Sequence, residues 1–302
     1  MDIKHFENQF KNLSGRINYN YSLKKLNWFN IGGNTKIYFK PNTLQDLLNF
    51  LKIFKNNQKL FVIGAGSNVL FNDDTFQGAI LKLTKNFSRI SLLNENTIIA
   101  GSGALDRSLS EFALQNSLSG FEFLSCIPGT VGGGIRMNSG CFEREFKDIL
   151  ISVQAVNRNG DVLTIQKKDI IFGYRSCNLP TDLIFLSASF KGNKREKKKI
   201  ESEINNLKTK KEKAQPTKIK TGGSTFKNPI EQTNKKVWEV IKESVPINTK
   251  FGDAVISDKH ANFFINRENA SYKDMKRLID FVKEKVRDKT GINLDLEIIL
   301  VE

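Results

Sequence analysis

Histidine and cysteine are scarce in this chain of 302 residues: two histidines, His5 and His260, and three cysteines, Cys126, Cys141 and Cys177. The cysteine number is odd and no C-x-x-C pair occurs, so neither a disulfide framework nor a thiolate zinc site organises the fold. With so few imidazoles, a histidine-based metal centre lacks ligands, and no metal is expected. Long apolar runs are missing as well. Nothing approaches the length needed to span a bilayer, and the opening MDIKHFENQFKNLSG has no apolar core of the signal-peptide kind. A cytoplasmic protein with reduced, mostly buried thiols and no membrane partner is the expectation. At 39% hydrophobic and 26% charged residues the composition is that of an ordinary globular protein, long enough for two or three domains.

Acidic residues are in deficit, with a net charge of +15, and a basic balance raises nucleic acid as a partner. The distribution argues against it. Between Lys191 and Lys220 twelve Lys or Arg face four Glu, so this one segment carries +8 of the excess. Ile200, Ile204, Leu207 and Lys211 follow helical spacing within it, which describes a solvated helix with one narrow apolar stripe. It has a single arginine and no aromatic for base stacking. The segment reads as a linker helix, and the positive field it contributes suits an anionic small substrate.

Glycine is concentrated where charge is absent. In Gly120–Gly140, GFEFLSCIPGTVGGGIRMNSG, five glycines from Gly129 to Gly140 stand with Arg136 as the one charged neighbour. Backbone freed of side chains lets a ligand approach and can form concave anion sites; tight packing at a strand crossing is the competing reading. A second glycine loop, Gly64-Ala65-Gly66-Ser67-Asn68, follows the apolar run Leu60–Ile63, expected to be a buried strand. It lacks the third glycine and the following helix of a dinucleotide-binding fingerprint, and the Lys-Ser/Thr of a P-loop. Two such loops suit a long ligand carrying a diphosphate.

Elsewhere the pattern predicts a lead-in helix and loop over residues 1–26 and a strand at Lys36–Phe39. A helix capped by Thr43 should run from Leu44 to about Lys55. Strands are expected at Ala79–Leu83 and Thr97–Ala100, a helix from Asp106 to Asn116, and a hairpin across Arg158-Asn159-Gly160. A strand at Leu183–Phe190 follows, then the basic helix near Lys194–Lys213, a helix near Lys235–Ser244, a strand around His260–Ile265, a helix over Tyr272–Thr290 and a closing strand, Leu294–Val301.

Eight blocks, NWFNIGG, VIGAGSNVLF, AGSGALDRSL, GFEFLSCIPGTVGGGIRMNSG, FGYRS, TGGSTFKNP, ISDKHANFFIN and GINLDLEI, occur in one order along nearly the whole chain. Together they resemble the UDP-N-acetylenolpyruvoylglucosamine reductase family, in the class that lacks an extra tyrosine-bearing loop. The resemblance implies an α+β fold: a two-lobed FAD-binding domain of the vanillyl-alcohol-oxidase/PCMH type plus a C-terminal α+β substrate domain. The expected division is 1–80 and 81–193 for the two lobes, 194–215 for the basic linker helix and 216–302 for the C-terminal domain. It further implies hydride transfer from NADPH onto FAD and then to the enolpyruvyl double bond of UDP-N-acetylglucosamine enolpyruvate, giving the muramate of peptidoglycan synthesis, in a monomer.

Carried over residue by residue, the FAD contacts are Gly64, Ala65, Gly66, Ser67, Asn68, Leu70, Ser125, Ile127, Pro128, Gly129, Thr130, Gly133, Asn138 and Gly140. The catalytic residues are Ser224 as proton donor, Arg175 on the substrate carboxylate and Glu297 near the enediolate oxygens, with Lys227, Asn228 and Tyr174 as substrate contacts. Glu297 should alternate with Leu296 and Ile298 along the last strand. Two stretches depart from the family pattern: Ser244–Ala254 lacks most of the usual glycines, and Glu143-Arg144-Glu145 stands where a glycine-containing turn is usual. A flavin oxidase using oxygen fits the glycine loops but leaves TGGSTFKNP and Glu297 without a role. A nucleic-acid-binding protein built on the basic helix leaves both glycine loops unexplained, and a regulatory flavoprotein that binds FAD without turnover is a third alternative.

Overall fold

The computed structural model describes residues 3–55, 57–216, 219–246 and 248–302. The chain forms two compact units that are discontinuous in sequence: Met1–Asn20, Lys36–Ala65 and Gln77–Lys211 in the first, Tyr21–Thr35, Gly66–Phe76 and Glu212–Glu302 in the second. The N-terminal segments of the second unit join it because Val69–Phe71 pairs in parallel with Ile299–Val301. No helix of the described residues is long and apolar enough to cross a membrane.

The first unit holds two sheets. One orders Arg16–Ser22, Asn34–Lys40, Phe76–Leu81 and Lys59–Val62 as neighbours. Its face is filled by phenylalanine: Phe39, Phe50 and Phe54 are fully buried, with the Phe39 and Phe50 rings stacked at 4.5 Å. Offset aromatic stacking adds to the area they remove from water. Thr43 caps the helix Leu44–Ile53, its hydroxyl accepting from Asp46 N at 3.1 Å. The second sheet is antiparallel, in the order Val162–Gln166, Leu150–Val156, Ile184–Lys191, Thr97–Gly101 and Ile90–Asn94. It packs with the helix Asp106–Gln115 around Leu109, Phe121, Phe146 and Phe190.

In the second unit an antiparallel sheet runs Thr221–Ser224, Phe263–Asn266, Ala254–Ile256 and Lys250–Phe251. The helix Tyr272–Thr290 lies on it, started by a Ser271/Asp274 capping box and ended by Gly291 at φ 72°. Its stripe of Met275, Leu278, Ile279, Val282 and Val286 is buried.

Several local expectations are corrected. Residues 16–22 form a strand, not the tail of a lead-in helix and loop. Lys59–Val62 pairs as a strand but is half-exposed, since it lies at a sheet edge. The central glycine run is helical, not an open loop: Val131–Arg136 is a short α-helix. The closing strand shortens to Ile299–Val301, and Glu297 sits in a bend between it and a bridge joining Leu296 to Phe226.

The helical glycines are not equivalent. A methyl built on Gly134 would stand 2.1 Å from the Phe146 ring, while one on Gly133 meets nothing nearer than Thr130 Oγ1 at 3.5 Å. Gly134→Ala should therefore lose about 1 to 3 kcal/mol through overpacking, and Gly133→Ala should stay within about 0.5 kcal/mol of the parent. Denaturant midpoints check the pair; equal losses at both positions would show that Phe146 yields.

Candidate active site

In the first unit, residues from the two glycine-rich stretches meet at Thr130. A methyl on Gly64 would come within 2.3 Å of Thr130 Oγ1, and the exposed Gly133 borders the same hydroxyl. Two sequence-distant glycines thus leave one Cβ-free rim, and glycine is required at 64 because a side chain is already there. Pro128 at the crest is exposed; Ser125, Ile127 and Gly129 are half-buried. The amides of Val131, Gly132 and Gly134 bond Ala104 O, Ser102 O and Thr130 O at 2.8 to 2.9 Å, so these three N–H groups serve the fold itself.

Beneath the rim lies Asp106. It is fully buried, neither carboxyl oxygen has a hydrogen-bond partner, and one oxygen packs where a Gly129 side chain would be. Burial raises its pKa well above the ordinary 3.8. Burial disfavours its charged form and so lessens the repulsion an approaching diphosphate would meet. The Cβ-free rim above it fits the close approach of a flavin dinucleotide.

Asn138 and Gly140 begin the hairpin that anchors Arg175. Asn138, fully buried at φ 41°, donates to Glu145 Oε2 and Gly173 O and accepts from Lys147 N, so its side chain is occupied by the fold. Gly140–Cys141 pairs with Arg144–Glu145 across Phe142 and Glu143, both at positive φ, 52° and 64°. A turn of this hand normally takes Asn-Gly. Two non-glycine residues in such a turn carry backbone strain, on the order of 1 kcal/mol per residue.

The Phe172–Gly173 and Ser176–Cys177 ladder closes with Arg175 at φ 55°. The Arg175 guanidinium donates to Gly140 O at 3.2 Å, stands 3.6 Å from Glu145 Oε1 and lies over the Tyr174 ring at 4.9 Å. Its fork is held by carbonyl, carboxylate and ring together. Glu145, which accepts from Asn138 and pairs with Lys147 and Arg175, escaped sequence reasoning because only the fold brings these groups to it.

In the second unit, Gly66 at φ 70° packs its Cα on Leu26 O and accepts from Trp28 N at 3.0 Å. That contact explains why the NWFNIGG block and this loop occur together. Ser67 is half-buried, and Leu70 is fully buried in the core, leaving its backbone to reach a ligand. Asn68 donates from Nδ2 to Glu297 O at 2.9 Å and accepts from Ile299 N at 2.9 Å. Glu297 N in turn donates to Thr225 O at 2.9 Å, so Asn68, Glu297 and the segment bearing Ser224 form one bonded strip.

Ser224 ends a strand that bulges between Thr221 and Ser224, with Gly223 at φ 80° opening on free space. Lys227 N donates to Asp295 O at 2.8 Å, and Asn228 Oδ1 accepts from Val237 N at the start of the helix Val237–Ser244. Asn262, quoted in a motif but given no role from sequence, holds this segment in place. Its amide exchanges two hydrogen bonds with the backbone of Phe226, at 3.0 and 2.9 Å, while its carbonyl accepts from Thr225 N.

Residues 215–301 match the family model described as UDP-N-acetylenolpyruvoylglucosamine reductase, C-terminal domain. Residues 35–166 match an FAD binding domain. The chain is 59% identical over 297 residues to the UDP-N-acetylenolpyruvoylglucosamine reductase of Pelagibacter ubique (strain HTCC1062), covering 98% of this chain and 97% of that protein. It is 43% identical over 288 residues to the enzyme of that name from Rickettsia typhi (strain ATCC VR-144 / Wilmington), covering 95% and 96%. Among solved structures, UDP-N-acetylenolpyruvylglucosamine reductase from Thermus caldophilus superposes with a TM-score of 0.81 at 27% identity, covering 95% of this chain and 99% of that one.

Two outcomes follow from the buried polar groups. Asn262→Ala orphans the Phe226 amide and carbonyl and should cost about 2 to 4 kcal/mol in denaturant unfolding; a loss below about 0.5 kcal/mol removes the clamp. Asp106 has a folded pKa above its unfolded one. Its contribution is therefore complete below the unfolded value of 3.8 and is lost as pH rises toward the folded pKa. Asp106→Asn should accordingly gain melting temperature over the parent as pH rises above 3.8; an offset that stays constant with pH contradicts the raised pKa.

Proposed function

Because the chain belongs to the UDP-N-acetylenolpyruvoylglucosamine reductase family, we propose that it reduces UDP-N-acetylglucosamine enolpyruvate to UDP-N-acetylmuramate with NADPH as reductant. It is an FAD oxidoreductase of peptidoglycan precursor synthesis. The observation that carries the finer reading is the bonded strip of Asn68, Glu297 and Thr225 beside Ser224.

FAD, when bound, supplies the two-electron chemistry. The rim of Gly64, Thr130 and Gly133 would hold it, with Ser125 to Gly129 contributing backbone. Reduction at C3 of the enolpyruvyl group leaves negative charge at C2, spread into the carboxylate, and the chain's own residues must neutralise it. Arg175 engages the carboxylate with a guanidinium whose orientation Gly140 O, Glu145 and the Tyr174 ring fix in advance, so no reorganisation is needed as charge grows. Ser224 gives its hydroxyl proton to C2. A serine is a weak acid, but a carbanion is a strong enough base to take that proton.

Glu297, in a bend whose backbone is tied on both sides by Asn68 and Thr225, directs its carboxyl toward the enediolate oxygens. Lys227 and Asn228 carry the sugar-diphosphate side. Asn228 does so with the amide face that does not cap Val237.

The experiment is anaerobic stopped-flow absorbance of the purified holoprotein. NADPH should bleach the flavin band, and the enolpyruvyl nucleotide should restore it without oxygen. Recovery only on admitting oxygen favours an oxidase. In Ser224→Ala the NADPH half-reaction should be intact and the second half-reaction slower by about a hundredfold or more; Glu297→Gln should slow the same step by roughly a hundredfold. Equal loss of both half-reactions would assign these residues to the fold instead.

A further inference from the structure

None of the steps above uses a thiol, yet two of the three cysteines flank the central glycine segment and meet. Cys126 ends the 3-10 turn Glu122–Cys126, Cys141 ends the strand Gly140–Cys141, and the strand packs directly on the turn. The two side chains are close enough that each sets the other's titration. Ser125 Oγ lies 3.7 Å from Cys126 Sγ, and Lys211, on the basic helix, donates from Nζ to the Cys126 carbonyl. Lys208 and Lys211 place positive charge near Cys126, and Lys211 and Arg175 near Cys141. Cys126 is buried and Cys141 half-exposed, so a small oxidant reaches the pair from the Cys141 side. Cys177 is engaged elsewhere, with Arg136. Among the described residues no group of three or more His, Cys, Asp or Glu could hold a metal, which leaves redox chemistry as the use of a paired thiol.

We propose that Cys126 and Cys141 form a redox-active dithiol, which peroxide converts to a disulfide that closes residues 126–141 into a covalent loop. The pairing itself stands on the contact between the two elements; its bearing on FAD rests on the function proposed above. The neighbouring Cys141, the Ser125 hydroxyl and the two lysines hold the Cys126 thiol down to about 6, while the proximity of Cys126 and burial push Cys141 up. Cys126 is therefore the thiolate that attacks, and Cys141 keeps its proton.

The thiolate sulfur takes one peroxide oxygen: an S–O bond forms, the O–O bond breaks, and the departing hydroxide takes up a proton as water. The Cys141 sulfur then displaces the hydroxyl of the resulting sulfenic acid, forming S–S, and its proton leaves with that hydroxide as a second water. Two thiols are oxidised by two electrons and one peroxide is reduced.

The test treats FAD-loaded protein with hydrogen peroxide and reads intact mass and peptide maps. Expected are a loss of about 2 Da, a linked peptide pair containing Cys126 and Cys141, free Cys177, and full reversal by dithiothreitol. Cys177→Ser should form the same link. Cys141→Ser, lacking the resolving thiol, should instead carry Cys126 on to a sulfinic acid, a gain of about 32 Da. A wild-type protein that gains oxygen at Cys126 without linkage, or links through Cys177, overturns the proposal. A preparation that binds no FAD defeats the function proposed above, while the thiol masses still decide this inference.

Discussion

Parallel pairing of Val69–Phe71 with Ile299–Val301 is the constraint on which the second unit depends. It brings Asn68 to Glu297 across a separation of 229 residues. Closing so long a stretch of chain costs entropy that no local propensity repays. Burial does: Leu70 and Phe71 are fully buried, Leu70 in the cluster of Phe29, Phe226 and Phe264, and each such side chain contributes about 1.5 to 3 kcal/mol. The register then places functional groups. Ile299 N on Asn68 O sets the pairing, and Asn68 Nδ2 is left aimed at Glu297 O. A one-residue slip would turn Leu70 outward and break both bonds.

Strain gathers around Arg175 in the first unit. Arg175, Phe142 and Glu143 all adopt positive φ without being glycine, and such conformations persist only where surroundings over-determine them. Here two short hairpins supply that restraint: one presents Gly140 O and Glu145, the other presents the guanidinium they hold. No glycine stands in Phe142-Glu143-Arg144-Glu145, so the strain that one would relieve remains. The residue at the end of the same turn is Glu145, the carboxylate partner of Arg175.

What could be read from sequence was local. Ser271, Asp274 and Gly291 mark both ends of the helix Tyr272–Thr290, and Arg158-Asn159-Gly160 marks its hairpin, because caps and turns are decided within a few residues. The apolar run Leu294–Val301 was misjudged because alternation cannot show that Glu297 N bonds Thr225 O in a bend. Composition suggests a loop over Gly132–Gly134, but the Gly134 amide donates to Thr130 O in a helical turn while the Val131 and Gly132 amides dock that turn on Ala104 O and Ser102 O. Lys211 fell on the apolar stripe of the basic helix by spacing, and the structure shows its use: it reaches the Cys126 carbonyl. Asn262 gave no local signal because its partner Phe226 lies 36 residues away, and Asp106 gave none because its importance lies in burial, which the sequence pattern around it does not show.

The choice between a reductase and an oxidase turns on the second unit, because both would use the same glycine rim. An oxidase passes electrons to oxygen and has no carbanion to protonate, so nothing would require a serine and a glutamate carried on one strip of bonded backbone. Here Ser224 follows a positive-φ glycine that opens on free space, and Asn262 clamps the residues after it with hydrogen bonds on both sides of Phe226. On the function proposed above, rigid support of this kind is what a weak acid needs: with a pKa far from neutral, its competence comes from position rather than from acidity. Thr225 and Asn68 tie the Glu297 backbone to the same strip, so that on the same proposal one placement of substrate can meet both.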